Sequence, residues 1–275
     1  MKVVHGRGDF LAARRVLAGD VGLVPTMGAL HAGHVALLDT ARAQCTSVVT
    51  TNFVNPLQFG PNEDLARYPR TLDADLDKCE RAGVDLVWAP EVEDVYPHGG
   101  STITVDPGPL GDVLEGAVRP GHFAGVLTVV AKFLNTVRPQ HAYFGEKDYQ
   151  QLVLVRQLCA DLDLDVTIDG VPTVREDDGL ALSSRNVHLS TDDRQHALAL
   201  SRALFAGRDT AVSGGALAVI AAATAELGRE PGIAVDYLEL RNPDLGEIPE
   251  YGPARLLVAA RVGKTRLIDN VAVQL

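Results

Sequence analysis

No run in this chain approaches the roughly 20 consecutive apolar residues needed to cross a bilayer, which argues against a helical membrane protein. The first ten residues carry Lys2, His5, Arg7 and Asp9. They lack the continuous apolar segment of a secretory signal, so a cytoplasmic protein is expected. Cysteine is scarce: Cys45, Cys79 and Cys159 are odd in number and widely spaced. That pattern fits neither a disulfide framework nor a zinc site and leaves buried free thiols. No internal repeat or low-complexity tract is present. Positive charge is in deficit, with 25 Lys and Arg against 36 Asp and Glu and a formal net charge of −11. Nucleic-acid affinity rests on phosphate neutralisation, so a general nucleic-acid binder is disfavoured. A few cations focused in one cleft still suffice for a single nucleotide.

What is present is a chain of 275 residues, 46% apolar, with mean hydropathy +0.06. That length accommodates one large domain or two smaller ones around a sizeable core. Strand-like and helix-like segments alternate over the first two thirds. Val21 to Pro25, Ser47 to Val54, Asp85 to Ala89, His141 to Gly145 and Asp165 to Asp169 read as strands. His34 to Ala43, Leu72 to Ala82, His122 to Val137 and Asp148 to Leu162 read as helices. Leu152, Val155, Cys159 and Leu162 form one apolar face of the last of these. Such alternation predicts an α/β fold, a Rossmann-like parallel sheet with helices on both faces. Ligands of such sheets bind beyond the carboxyl ends of the strands, which directs attention to Thr26–His34, Asn55–Gln58 and Gly145–Asp148.

The last third changes character. Helices are predicted over Asp192 to Gly207 and from Gly214-Gly215 towards Gly228, followed by strands over Ala234 to Leu240, Arg255 to Val262 and Thr265 to Val273. Helices followed by strands suggest a smaller C-terminal α+β lid domain, which divides the chain into 1–174 and 175–275 within the polar stretch around Glu176-Asp177-Asp178-Gly179.

The segment Pro25-Thr26-Met27-Gly28-Ala29-Leu30-His31-Ala32-Gly33-His34 leaves a strand and enters a helix. His31 and His34, three residues apart, point the same way on a helical turn. Gly33 lets a phosphate approach the backbone, and the helix start supplies N–H groups and a positive dipole end suited to an anion. Two imidazoles there can bond phosphate oxygens, and either can move a proton near neutral pH. Solvated loop histidines are the bland alternative; the strand, glycine turn and helix around them weigh against it.

This H-x-G-H string resembles the nucleotidyltransferase-like adenylating superfamily, and Met27-Gly-Ala-Leu-His-x-Gly-His34 resembles the pantothenate synthetases (pantoate–β-alanine ligases) in particular. Phe53-Val-Asn-Pro-Leu-Gln-Phe59, Arg119-Pro-Gly-His-Phe123, Phe144-Gly-Glu-Lys-Asp-Tyr-Gln-Gln151 and Leu182-Ser-Ser-Arg-Asn186 add to the resemblance in the family's order. The resemblance implies a ligase that joins pantoate to β-alanine with ATP and Mg2+ through a pantoyl-adenylate, releasing pantothenate, AMP and pyrophosphate. It also implies a homodimer. It assigns catalysis to His34, His31, Lys147 and Arg185. ATP binding falls to Met27, Gly28, Ala29, Leu30, His31, Ala32, Gly33 and His34, to Gly145, Glu146, Lys147 and Asp148, to Val174, and to Leu182, Ser183, Ser184 and Arg185. Gln58, Gln151, Asn55 and Met27 fall to pantoate and β-alanine, and no resident protein-held metal is expected.

Several residues keep a second reading. Met27 serves equally as core filler. Asp148 opens a helix in a D-x-x-Q pattern and reads as a cap as well as a site residue. His122, after Pro120-Gly121 at a helix start, reads as structural or catalytic. Tyr68, Tyr149 and Trp88 read as packing, and Glu176 to Asp178 as a solvated loop rather than a metal site. The chain departs from the family pattern at Ala32, where glutamate is common, at Leu182, where methionine is usual, and in the polar Thr50-Thr51-Asn52. A nucleotidyltransferase that stops at AMP transfer and a non-catalytic nucleotide binder are the rival readings. A class I aminoacyl-tRNA synthetase is disfavoured by the short acidic chain.

Overall fold

The computed structural model describes residues 1–61, 63 and 65–275, and the side chains of all of these except Ser213. Six short strands, the central ones buried along nearly their whole length, form the first sheet: β1 (Lys2–Val4), β2 (Val21–Thr26), β3 (Ser47–Asn52), β4 (Leu86–Trp88), β5 (His141–Gly145) and β6 (Thr167–Val171). They pair in parallel in the order β1-β4-β3-β2-β5-β6. The helices of this region are α1 (Arg7–Arg14), α2 (Ala32–Gln44), α3 (Leu72–Arg81), α4 (Val92–Val95), α5 (Glu115–Val118), α6 (His122–Val137) and α7 (Tyr149–Asp161).

Because strand side chains alternate, the sheet buries two faces. Val24, Val48 and Val87 pack with Leu37, Leu38 and Ala41 of α2 and Cys79 of α3. On the other face Trp88 stacks on Phe10 of α1 at 4.4 Å and meets Phe133 of α6 edge-on at 5.7 Å. Helices therefore cover both faces, as the alternation of segments predicts. From β2 the chain moves through β3 to β4 on one side, then returns to lay β5 against the other side of β2. Thr26 and Gly145 end the two strands that flank this reversal, the place where doubly wound sheets bind their ligands.

The chain forms two compact units, Met1–Gly145 with Gln151–Val171, and Glu146–Gln150 with Pro172–Leu275. Glu146–Gln150 thus belongs with the C-terminal unit, which the division at residue 174 does not foresee. The second unit holds α8 (Thr191–Leu227) and an antiparallel meander of β7 (Ile233–Arg241), β8 (Pro253–Val262) and β9 (Thr265–Gln274). Leu200, Leu204 and Val219 of α8 pack on Leu256 and Val258 of β8.

Several local expectations change. The first strand and helix, β1 and α1, lie in a stretch to which the sequence reading assigns no element. Strand β6 starts at Thr167 rather than Asp165, because Asp163 adopts φ +49 and the chain is still turning there. Leu162 lies beyond α7 and is 54% exposed, so the apolar face of that helix ends at Cys159. Helix α8 does not stop at Gly207. A Cβ there would lie 2.9 Å from Val219 O and 2.8 Å from Leu256, so this glycine serves close packing. The break comes at Gly215, with φ 64 and ψ −166. The cysteines are free and buried; burial pushes the Cys79 and Cys159 thiols up to about 11. No described helix is long and apolar enough to cross a membrane.

Candidate active site

The turn leaving β2 is fixed before any ligand is considered. Thr26 Oγ1 donates to Thr51 O at 2.7 Å and accepts from Gly28 N at 3.2 Å. Gly28 adopts φ +81, and a Cβ there would meet Asn52 Oδ1 at 2.5 Å, so only glycine serves. The next two N–H groups, of Ala29 and Leu30, donate to the buried Asp75 carboxylate of α3 at 2.9 and 2.7 Å. Asn52 Nδ2 donates to the same carboxylate at 3.1 Å, and Thr71 Oγ1 lies 3.3 Å from both of its oxygens. Asp75 is 1% exposed, and its charge is spread over these donors. Nothing in the sequence distinguishes it from the other acids of its helix, and sequence reasoning misses it.

The two histidines cap α2 reciprocally. His31 Nδ1 accepts from Gly33 N at 3.1 Å, and His34 Nδ1 accepts from His31 N at 3.2 Å. Their ring centres are 4.1 Å apart. An Nδ1 that accepts carries no proton, so each neutral ring bears its hydrogen on Nε2. The arrangement alters one expectation. Gly33, His34 and Val35 spend their N–H groups inside the turn, so these three backbone groups are already engaged where the sequence offers them to an anion. Ala32 is exposed at the first position of α2, so the missing glutamate leaves the packing of the turn intact.

A second cluster surrounds Gln58. Asn55, 1% exposed, accepts from Leu57 N at 3.3 Å and Tyr96 OH at 2.8 Å. It donates to Gln58 Oε1 at 3.0 Å and Gly125 O at 3.1 Å. All four bonds go to protein, so Asn55 orders Gln58. Gln58 Nε2 donates to Met27 Sδ at 3.2 Å, which makes half-buried Met27 a neighbour of this glutamine rather than core filler. His122 Nδ1 lies 2.8 Å from Gln58 O, and His122 Nε2 2.9 Å from Arg119 Nη1. Arg119 grips Glu63 with two bonds of 2.7 Å. A guanidinium only donates, so His122 accepts from it at Nε2 and donates to Gln58 O through Nδ1. Burial, then the Arg119 charge, lowers the His122 imidazole to about 4, so it is neutral at neutral pH. The hydrogen bond from Arg119 holds the Glu63 carboxyl below the usual range. His122 is therefore structural in what it touches. Gln151 is half-buried near the start of α7. Gly145 closes β5, and a Cβ there would meet nothing within 4 Å.

In the second unit, Glu146–Asp148 form a short 3-10 turn directly before α7. Lys147 Nζ lies 3.6 Å from Asp148 Oδ1, with the lysine side chain 17% exposed. Glu146 pairs with Arg255 at 2.9 Å. Tyr149, read from sequence as packing, carries the Arg255 guanidinium 3.7 Å from its ring centre. Val174 O accepts from Leu182 N at 3.0 Å, and Ser183 Oγ accepts from Arg185 N at 3.2 Å, which caps the turn Ser184–His188. Glu176 and Asp178 both pair with Arg194, at 2.7 and 2.6 Å, so these two acids are tied down by an arginine rather than simply solvated.

Comparison with known proteins matches this architecture. Residues 4–272 match the Pantoate-beta-alanine ligase family. A pantothenate synthetase of Salinispora arenicola (strain CNS-205) is 59% identical over 276 residues, covering 100% of this chain and 98% of that protein. The crystal structure of pantothenate synthetase from Thermus thermophilus superposes with TM-score 0.93 at 50% identity, covering 98% of this chain and 99% of that one. The pantoate-beta-alanine ligase of Francisella tularensis, solved as a complex with beta-gamma ATP and beta-alanine, gives TM-score 0.82 at 34% identity, covering 98% and 97%. This chain belongs to the pantoate-beta-alanine ligase family and is an enzyme of that class.

Proposed function

We propose that this chain condenses pantoate with β-alanine at the expense of ATP, through a pantoyl-adenylate, giving pantothenate, AMP and pyrophosphate. The observation that supports the reading is the reciprocal His31–His34 cap, which sets two imidazoles together at the start of α2, beside the switch point of the sheet. Family membership over nearly the whole chain favours a ligase over the two rival readings.

In the first step a pantoate carboxylate oxygen attacks the α-phosphorus and pyrophosphate leaves. His31 and His34 donate to phosphate oxygens, and Lys147 and Arg185 offset the charge that develops on the leaving group. The Ser183 hydroxyl accepts from Arg185 N and keeps its own hydrogen to donate; Ser184 adds a hydroxyl. Magnesium supplied with ATP would offset part of the phosphate charge. Gly145 admits the nucleoside, Val174 and Leu182 contribute backbone, and Gln58 and Gln151 bond the hydroxyl and carboxylate oxygens of pantoate. In the second step the neutral amine of β-alanine attacks the acyl carbon, AMP departs, and the amine loses a proton. The beta-gamma ATP and beta-alanine in the Francisella tularensis complex support both ligands. Residues 175–275 serve as a lid that keeps water from the acyl-adenylate, and the enzyme works as a cytoplasmic homodimer.

The test measures pyrophosphate and AMP release with Mg-ATP, adding pantoate and β-alanine singly and together. AMP formed in step with pantothenate only when all substrates are present is the expected result. ATP binding without turnover would sink the ligase reading.

A further inference from the structure

The reading of Lys147 as a catalytic cation raises the question of what aims it. Lys147 sits in a single 3-10 turn between β5 and α7, and such a turn holds itself with few bonds of its own. The fastening comes instead from the C-terminal sheet, within the second unit. Asn270 of β9 donates through Nδ2 to Glu146 O and to Lys147 O, both at 2.9 Å. Those carbonyls belong to the two peptide planes on either side of the Lys147 Cα. Because each plane is rigid, holding both fixes φ and ψ of Lys147 and hence the direction in which its side chain leaves the backbone.

The clamp is itself anchored. Asn270 is 4% exposed and pairs across the ladder with Leu257. Its N–H donates to Asp269 Oδ1 at 2.7 Å, and Asp269 takes two bonds from Arg175 at 2.6 and 2.9 Å. Asn270 Oδ1 has no hydrogen-bond partner among the described residues, so this buried amide is present for its two donors. Strand β8 adds a second fastening. Arg255 bonds the Glu146 carboxylate at 2.9 Å and lies over the Tyr149 ring, and Tyr149 OH donates to Pro243 O at 3.0 Å.

We propose that Asn270 is a positioning residue for adenylation, acting on the substrate only through the orientation of Lys147. The inference rests on the role given to Lys147 above. It differs from a general stabilising role in one measurable respect: removing the clamp costs nothing further once the lysine side chain is gone.

The experiment compares wild type, Asn270→Ala, Lys147→Ala and the double variant in single-turnover pyrophosphate release, with melting temperature recorded for each. A misplacement of about 1 Å can cost on the order of 10²-fold in rate. A loss of that order is expected for Asn270→Ala, with KM for pantoate unchanged. The double variant should match Lys147→Ala within about twofold, the usual error of additivity. Should Asn270→Ala fail to melt cooperatively, Asn270→Ser, which keeps one shorter donor, enters the same cycle with an intermediate loss expected. Wild-type rates in the clamp variants, or a loss of equal size in the Lys147→Ala background, would overturn the inference. Near-normal turnover by Lys147→Ala alone would remove the lysine from the chemistry and the inference with it, a failure readable from the single variant.

Discussion

The Asp75 carboxylate accepts the Leu30 N–H at 2.7 Å through one oxygen and the Ala29 N–H at 2.9 Å through the other. One buried side chain of α3 thus sets the two residues that precede His31. Asp75→Asn keeps the volume but turns one acceptor into a donor, leaving one buried N–H without a partner. That costs about 1–3 kcal/mol, read as a lower melting temperature. The turnover number with saturating ATP should fall by roughly tenfold or more, since small displacements of a reacting group are costly. A stable variant with wild-type turnover would show that the turn holds its shape without Asp75.

Gly125 of α6 lies against the turn that carries Gln58. A Cβ there would stand 2.1 Å from Leu57 O and 2.7 Å from Gln58 N, both backbone atoms. Gly125→Ala must push the turn Pro56–Gln58 away, at an overpacking cost of about 1–3 kcal/mol. The expected kinetic result is a raised KM for pantoate with KM for ATP little changed. A change confined to ATP would take Gln58 out of the pantoate site.

Gly145→Ala makes the opposite case. Its backbone is not in the left-handed region, and a Cβ meets no protein atom within 4 Å. The melting temperature should hold or rise, because removing glycine stiffens the unfolded chain by about 0.4–1 kcal/mol. If nucleoside packs on this position, KM for ATP rises. An unchanged KM would show that no ligand approaches there.

Acid should loosen the Gln58 cluster. The His122 imidazole is lowered from 6.5 to about 4 by burial and then by Arg119. A depressed value favours the neutral ring in the folded state. Its stabilisation is therefore complete above about pH 6.5 and is lost as pH falls towards 4. Glu63, held low by Arg119, acts in the same sense further into acid. Thermal melts between pH 7 and 4 should steepen for wild type relative to His122→Asn, which can still donate to Gln58 O. Parallel curves would remove His122 as the source.

How much of this was legible in the sequence follows from the range of the interactions. Helices α2 and α6 and strand β5 are specified by local periodicity and by short strings that belong to one element, and they emerge within two residues of the expected limits. The H-x-G-H turn is legible for the same reason: strand, glycine and cap are contiguous. The supports are not. Asp75 reaches the turn across 45 residues and Asn270 reaches Lys147 across 123, and neither carries a local pattern that sets it apart from its neighbours. Thr50 and Thr51, which look like a weakness in an apolar strand, are buried; Thr50 Oγ1 donates to Val24 O at 2.7 Å, and Thr51 O accepts from Thr26. Leu162 and Gly207 misled because periodicity cannot see where a helix is cut off by a turn or pressed by a neighbour.

The reciprocal cap at the start of α2 also limits how the two histidines can vary. Each ring holds the backbone of the turn: the His34 ring accepts from the His31 N–H and the His31 ring from the Gly33 N–H. Loss of either imidazole leaves one of those N–H groups without its acceptor. A substitution at either histidine therefore alters the backbone at the start of α2 as well as removing a ring.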